Sequence, residues 1–168
     1  MIAPRGWRRQ TLPTTTRRQS VQSHLIGPDG AERLARLPLF QGILGAQRRM
    51  LGELVHEFEA QAGETLVLEG EHGYEFTIIE EGQAEVLQHG QLVGELGPGD
   101  FFGELAILGG GDPRTATVIA KSDIRGLGFD SHSLAEILKN VPEVGERIKR
   151  EASERRERDA RAAGSGAQ

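Results

Sequence analysis

Residues 63–99 read GETLVLEGEHGYEFTIIEEGQAEVLQHGQLVGELGPG. Glycines at 63, 70, 73, 82, 90, 94, 97 and 99 punctuate this stretch. Between them stand short runs rich in Val, Ile, Leu, Phe and Thr: Leu66-Val67-Leu68, Phe76-Thr77-Ile78-Ile79, Ala84-Glu85-Val86-Leu87 and Gln91-Leu92-Val93. Short apolar segments at regular spacing, each closed by a turn signal, predict the strands of a β-sandwich or barrel. Thr117-Val118-Ile119-Ala120 and Ile124 to Phe129 add two more. The chain holds 23 glycines in 168 residues, about twice the average usage of ~7%.

Outward from this centre the pattern turns helical. Asp29 to Leu37 predicts a short helix, with Asp29 as cap and Ala31, Leu34 and Leu37 on one face; Pro38 stops it. Residues 46–54 predict a second, with Met50, Leu51 and Leu54 apolar. Beyond the strands, Asp130 or Ser131 can cap a helix whose inner face carries Leu134, Ile137 and Leu138. Pro142 opens a last helix expected to reach Arg161. That helix has five Glu→Arg pairs at i,i+4 (143/147, 146/150, 151/155, 154/158 and 157/161) but a thin apolar stripe of Val144, Ile148 and Ala152, with Arg155 on the same side. A helix with so little to bury is expected to dock conditionally. Residues 1–28, with three prolines, five arginines and no acid, are expected to form a flexible basic arm, and residues 162–168 a disordered tail.

Composition excludes several function classes. The chain has no cysteine, which removes disulfides, thiolate zinc sites and cysteine nucleophiles. No apolar run reaches the ~20 residues of a membrane helix, and no apolar segment follows the N-terminal arginines as in a secretory signal. A cytoplasmic protein is expected, and the preference for Arg over Lys with abundant Ala, Gly and Glu suggests a bacterial source. The net charge of −5 is unevenly spread. Residues 1–30 carry five basic side chains against one acidic, residues 31–142 eight against eighteen, and residues 143–168 seven against six. So acidic a body opposes nonspecific nucleic-acid binding, and an anion must be held there by a local site. The five histidines, His24, His56, His72, His89 and His132, include no His-x-His pair and no metal-ligand spacing. No Ser/His/Asp constellation suggests itself, so no catalytic residue, metal or cofactor is expected and the chain reads as not an enzyme.

The stretch that carries chemistry is Phe101-Phe102-Gly103-Glu104-Leu105-Ala106-Ile107-Leu108-Gly109-Gly110-Gly111-Asp112-Pro113-Arg114-Thr115-Ala116-Thr117-Val118. Gly103 lets a ligand approach the backbone closely. Residues 104–108 suit one helical turn whose unbonded N–H groups can face an anion. Arg114, with small neighbours, can meet the same anion with paired hydrogen bonds. Glu104, itself an anion, makes sense as acceptor for a hydroxyl. A hydroxyl acceptor beside an anion clamp points to a sugar phosphate. The plainer alternative is a Glu104–Arg114 ion pair holding a loop; the surrounding glycines and small residues favour the ligand.

This stretch resembles the phosphate-binding cassette of the cyclic nucleotide-binding domain family: Phe102 to Leu108 and Pro113 to Val118 match its F-G-E-[LI]-A-[LI]-L and P-R-[TAS]-A-T-V nearly letter for letter. Ala62-Gly63-Glu64 with Glu69-Gly70, Ile78 to Val86, and Leu96-Gly97-Pro98-Gly99-Asp100 resemble other family segments, so that residues 30–155 are covered. The resemblance implies an eight-stranded antiparallel β-roll, jelly-roll-like, at residues 55–130, within a domain spanning 29–161. Short helices would precede it (29–54) and two follow (131–161), the last acting as a lid. It implies cAMP or cGMP as ligand. Glu104 would bind the ribose 2′-hydroxyl and Arg114 the cyclic phosphate, with Phe102, Gly103, Leu105, Ala106, Thr115 and Ala116 forming the cradle. Ile148, Ala152 or Arg155 would lie nearest the base. The loop Gly109-Gly110-Gly111-Asp112 is one residue longer than the commonest version. Thr115 permits cGMP without excluding cAMP, and the bacterial-looking composition tilts slightly toward cAMP.

Only a few residues follow Arg161, too few for the winged helix-turn-helix that bacterial regulators of this family append, so no sequence-specific DNA binding is expected. The expectation is a stand-alone sensor whose lid helix signals to an effector protein in trans. The alternative is an interaction module that keeps the fold without ligand dependence, its last helix pairing in a homodimer.

Overall fold

The computed structural model describes residues 28–72, 75–103 and 114–165. The basic arm, apart from Pro28, lies outside them. Helix α1 (Pro28–Ala35) and a 3-10 turn at Pro38–Phe40 lead into α2 (Gly45–Leu54). Eight strands follow among the described residues: β1 (His56–Ala60), β2 (Thr65–Val67), β3 (Glu75–Glu81), β4 (Ala84–Gln88), β5 (Gln91–Leu96), β6 (Phe101–Phe102), β7 (Thr117–Ala120) and β8 (Ile124–Asp130). Helices α3 (Ser131–Asn140) and α4 (Pro142–Ser165) close the chain. All strand pairs are antiparallel. One sheet has the order β1-β8-β3-β6 and the other β2-β7-β4-β5. This is the expected β-roll with flanking helices.

The first sheet is buried on both faces, and its sequence explains why. In β6 the neighbours Phe101 and Phe102 point to opposite sides, as successive strand residues must. Phe101 joins Phe76, Ile78, Leu127 and Phe129 in the core shared with the helices. Phe102 joins Phe58, Ile79 and Ile124 inside the roll. Continuous rather than alternating apolar runs such as Phe76 to Ile79 are what a doubly covered sheet requires. Register places Phe76 opposite Phe129, and Ile78 opposite both Leu127 and Phe101.

The helices sit on this sheet as one layer. Leu34, Leu37, Phe40, Leu51, Leu134, Ile137, Val144 and Ile148 all enter the same core. Arg33 of α1 adds a polar anchor, pairing with Glu80 of β3 and reaching Glu57 of β1 at 3.5 Å. The first helix stops at Ala35, two residues short of the expected Leu37, and holds Asp29 within its first turn rather than as its cap; Pro38 opens the 3-10 turn that buries Leu39 and Phe40.

Asp130 caps α3, its Oδ1 accepting from the Ser133 N–H at 2.7 Å. That hydrogen bond is the main reason its carboxyl is held below the usual range. A carboxylate with a lowered native pKa stabilises above its unfolded pKa and ceases to do so as pH falls through the native one. Asp130→Ala is therefore expected to cost about 1 kcal/mol at neutral pH. The gap from wild type should shrink on acidification below the ordinary Asp range, as chemical denaturation at several pH values would reveal.

Helix α4 departs from expectation in its length and in its docking. It runs to Ser165, four residues past Arg161, because Ala162 and Ala163 follow and alanine has the highest helix propensity; residues 162–165 are thus helix rather than tail. The stripe of Val144, Ile148 and Ala152 is fully docked. Polar anchors supplement it: Arg147 Nη1 donates to the carbonyls of Leu39 at 3.0 Å and Gln41 at 2.7 Å.

Candidate functional site

The site is built where β6 ends and β7 is about to begin. Gly103 directly follows β6 and has φ +96°, a conformation that glycine alone adopts without strain. A Cβ on Gly103 would run into the carbonyl oxygen of Glu75, at the start of β3, and would lie 2.9 Å from Arg114 Nη1. Arg114 is fixed through its own backbone. Its N–H donates to the Glu71 carbonyl at 2.9 Å, and its carbonyl accepts from Gly70 N–H at 2.8 Å. Its Nη2 donates to the Glu75 carbonyl at 3.3 Å. The carbonyl contact orients the guanidinium, and its planar fork suits two oxygens of one anion. Residues far apart in sequence, Gly70–Glu71, Glu75, Gly103 and Arg114, thus converge on one small volume.

Of the residues singled out in the sequence, Gly103 and Arg114 are brought together. Phe102 is buried inside the roll beneath them. Thr115 is exposed and Ala116 half-buried, on the approach to β7. Glu104, Leu105 and Ala106, and the loop at 109–112, lie outside the described residues. Ile148 and Ala152 are buried on the docked side of α4, Ile148 within the helical core. Two contributors carried no signal in the sequence. Glu75 acts through its backbone carbonyl, which every residue type offers. Phe101 was legible as apolar, but nothing marked its carbonyl as an anchor.

Arg155 joins α4 to this region. Its Nη1 donates to the Phe101 carbonyl at 2.8 Å, and its guanidinium carbon stands 4.8 Å from the centre of the Phe101 ring, within cation–π range. One turn earlier, Glu151 has its pKa raised, first by burial and then by the neighbouring charges of Asp100 and Glu154, against the opposing pull of Arg155 and Arg158. A separate depression of about 770 Å³ lies at the β1–β2 connection, lined by Glu59, Glu64, Glu81, Asp123 and Arg125 among others. Its acidic rim is ill-suited to an anion, and it includes neither Gly103 nor Arg114.

The sequence model of the cyclic nucleotide-binding domain family matches residues 57–141. This chain belongs to the cyclic nucleotide-binding domain family. The stretch from β1 to the end of α3 thus falls within the family domain. Among curated relatives, a cAMP-dependent protein kinase regulatory subunit of Mycosarcoma maydis is 43% identical over 91 residues, which are 52% of this chain and 17% of that protein. A cyclic nucleotide-gated potassium channel of Rhizobium etli is 34% identical over 123 residues, 73% of this chain and 34% of that protein. The chain therefore spans a minor part of the length of these relatives. Among solved structures, the regulatory domain of Toxoplasma gondii PKA with cAMP superposes with a TM-score of 0.67 at 25% identity, covering 77% of this chain and 50% of that one.

Proposed function

We propose that this cyclic nucleotide-binding domain binds cAMP or cGMP at Gly103 and Arg114 and signals through the position of α4 to a partner protein. The observation that carries the reading is the convergence of the Arg114 guanidinium on a glycine too crowded to hold a side chain. In this reading Arg114 pairs with the cyclic phosphate and Glu104 accepts from the ribose 2′-hydroxyl. The cradle is completed by backbone groups at Gly103, Leu105, Ala106, Thr115 and Ala116, with Phe102 as its floor. The likeness to a cAMP-dependent kinase subunit and to a cyclic nucleotide-gated channel supports the ligand class. Thr115 admits both cAMP and cGMP, and the bacterial-looking composition favours cAMP slightly. The domain acts as a binding module rather than an enzyme, in the cytoplasm, with an effector in trans. The domain is taken as residues 29–161, its last helix continuing to Ser165, with a basic arm before it.

Calorimetric titration of the full chain with cAMP, and separately with cGMP, tests this. Binding of either supports the reading, and the ratio of the two affinities gives the base preference. Silence from both, in folded protein free of co-purified nucleotide, would leave a ligand-independent interaction module. Salt is a second axis. Charges beyond ~8 Å are screened at physiological ionic strength, and the acidic body repels a monoanion. Added salt should therefore weaken binding little or even strengthen it; a steep loss would contradict the proposed local clamp.

A further inference from the structure

We propose that Arg155 is a positioning residue of the ligand site: it latches α4 to the open edge of β6 and so sets how long a bound nucleotide stays. The proposal rests on the cyclic nucleotide reading above. Among the described residues, strand β6 is the edge of its sheet. Carbonyls along an edge strand alternate between the neighbouring strand and open space. The carbonyl of Asp100 points inward and accepts from Ile79 N–H at 2.8 Å. The next carbonyl, that of Phe101, points outward and accepts from Arg155 instead. The same guanidinium covers the Phe101 ring, whose other contacts lie in the core that also holds Ile148 of α4. Gly103 stands two residues further on, pressed between Glu75 and Arg114. A displacement of the backbone at Gly103 is therefore felt at Phe101, and through it at α4, with one rigid dipeptide of buried phenylalanines between them.

Helix α4 offers its own control. Arg147, eight residues earlier, makes the same kind of contact with different carbonyls, those of Leu39 and Gln41 in the turn after α1. It anchors α4 to the helical layer and not to β6. If α4 docking alone governed the site, both arginines would matter alike; the geometry assigns the coupling to Arg155.

The test uses the full chain as wild type, Arg155→Met, Arg155→Lys and Arg147→Met. Amide hydrogen exchange is read on ligand-free protein, and dissociation of a fluorescent cyclic nucleotide by competition. Methionine keeps an apolar stem and loses both the charge and the donors. Removing a charge-assisted hydrogen bond and a cation–π contact is expected to speed exchange in α4 beyond Ala152, and nucleotide dissociation, about tenfold each. Association should be unchanged. Lysine keeps a charge over the ring and one donor, and should recover part of both effects. Arg147→Met should leave dissociation at the wild-type rate. Faster exchange in Arg155→Met with unaltered dissociation would reduce Arg155 to a structural contact. Equal acceleration by Arg147→Met would overturn the specific role of β6. A wild-type chain that binds neither nucleotide sinks the reading of the site instead, while the exchange data still decide whether Arg155 holds α4.

Discussion

Arg114→Ala is expected to weaken cyclic nucleotide binding about a hundredfold or more while the melting temperature moves by only a few degrees. The two outcomes separate because the residue is held by its backbone and works through its side chain. Both main-chain hydrogen bonds, to Glu71 and Gly70, survive truncation to alanine. Among the contacts the side chain gives up is one long, solvent-accessible bond to the Glu75 carbonyl at 3.3 Å; a loss of roughly 1 kcal/mol corresponds to about 2–4 °C for a chain of this size. The ligand loses its countercharge. Truncating one side of a hydrogen-bonded charge pair costs about 2–5 kcal/mol, and a hundredfold change in affinity is about 2.8 kcal/mol. Arg114→Lys should fall between, because a point charge replaces the fork. Calorimetry and a thermal melt on the same preparations read both quantities. Undiminished affinity in Arg114→Ala would remove this residue from the site; a collapse in melting temperature would assign it to the fold.

Gly103→Ala is expected to damage the fold and the site together. The added methyl meets the backbone oxygen of Glu75, and Arg114 Nη1 stands 2.9 Å away. The guanidinium is flexible and can withdraw, whereas the Glu75 carbonyl belongs to a strand paired with β8 along most of its length. The φ of +96° adds conformational cost for any L-residue with a Cβ. Strain of this kind costs about 1–3 kcal/mol, and overpacking about as much again, so a stability loss of about 3 kcal/mol is expected in denaturant melts. Ligand affinity should fall further than stability alone accounts for, because relief of the clash moves either β6 or the Arg114 side chain. A Gly103→Ala chain with wild-type stability and affinity would mean that the backbone relaxes freely here, and the close approach would lose its significance.

Legibility differed by element for identifiable reasons. Strands β3, β4, β7 and β8 carry dense Val, Ile, Leu and Phe and were predicted within a residue or two of their ends. Strand β1, His-Glu-Phe-Glu-Ala, was not read as a strand, since its alternation rests on just two apolar residues, Phe58 and the small Ala60. Strand β6 is two residues long, too short for any period to register. The cap of α3 by Asp130 followed from local chemistry alone. Docking of α4 did not, because its apolar stripe is thin and its supplementary anchors, Arg147 and Arg155, bond to backbone carbonyls, which every residue carries.

Within the site, the side-chain chemistry of Gly103 and Arg114 was legible, because a glycine before a turn and an arginine among small residues are statements about residue type. Glu75 and Phe101 contribute carbonyl oxygens, and every residue carries one. The amino-acid sequence by itself determined that this chain forms a glycine-punctuated antiparallel roll flanked by helices, and it placed the segment proposed here as an anion clamp between the sixth and seventh strands. These features depend on composition and spacing along the chain. Only the tertiary structure decided that Arg114 is aimed by a carbonyl 39 residues away in sequence, and that Arg155 ties the last helix to the strand leading into the site. The second contact arises from the sheet order β1-β8-β3-β6, which leaves β6 at an edge with a carbonyl pointing outward, and an edge carbonyl takes the donor that the packing of a distant helix brings to it.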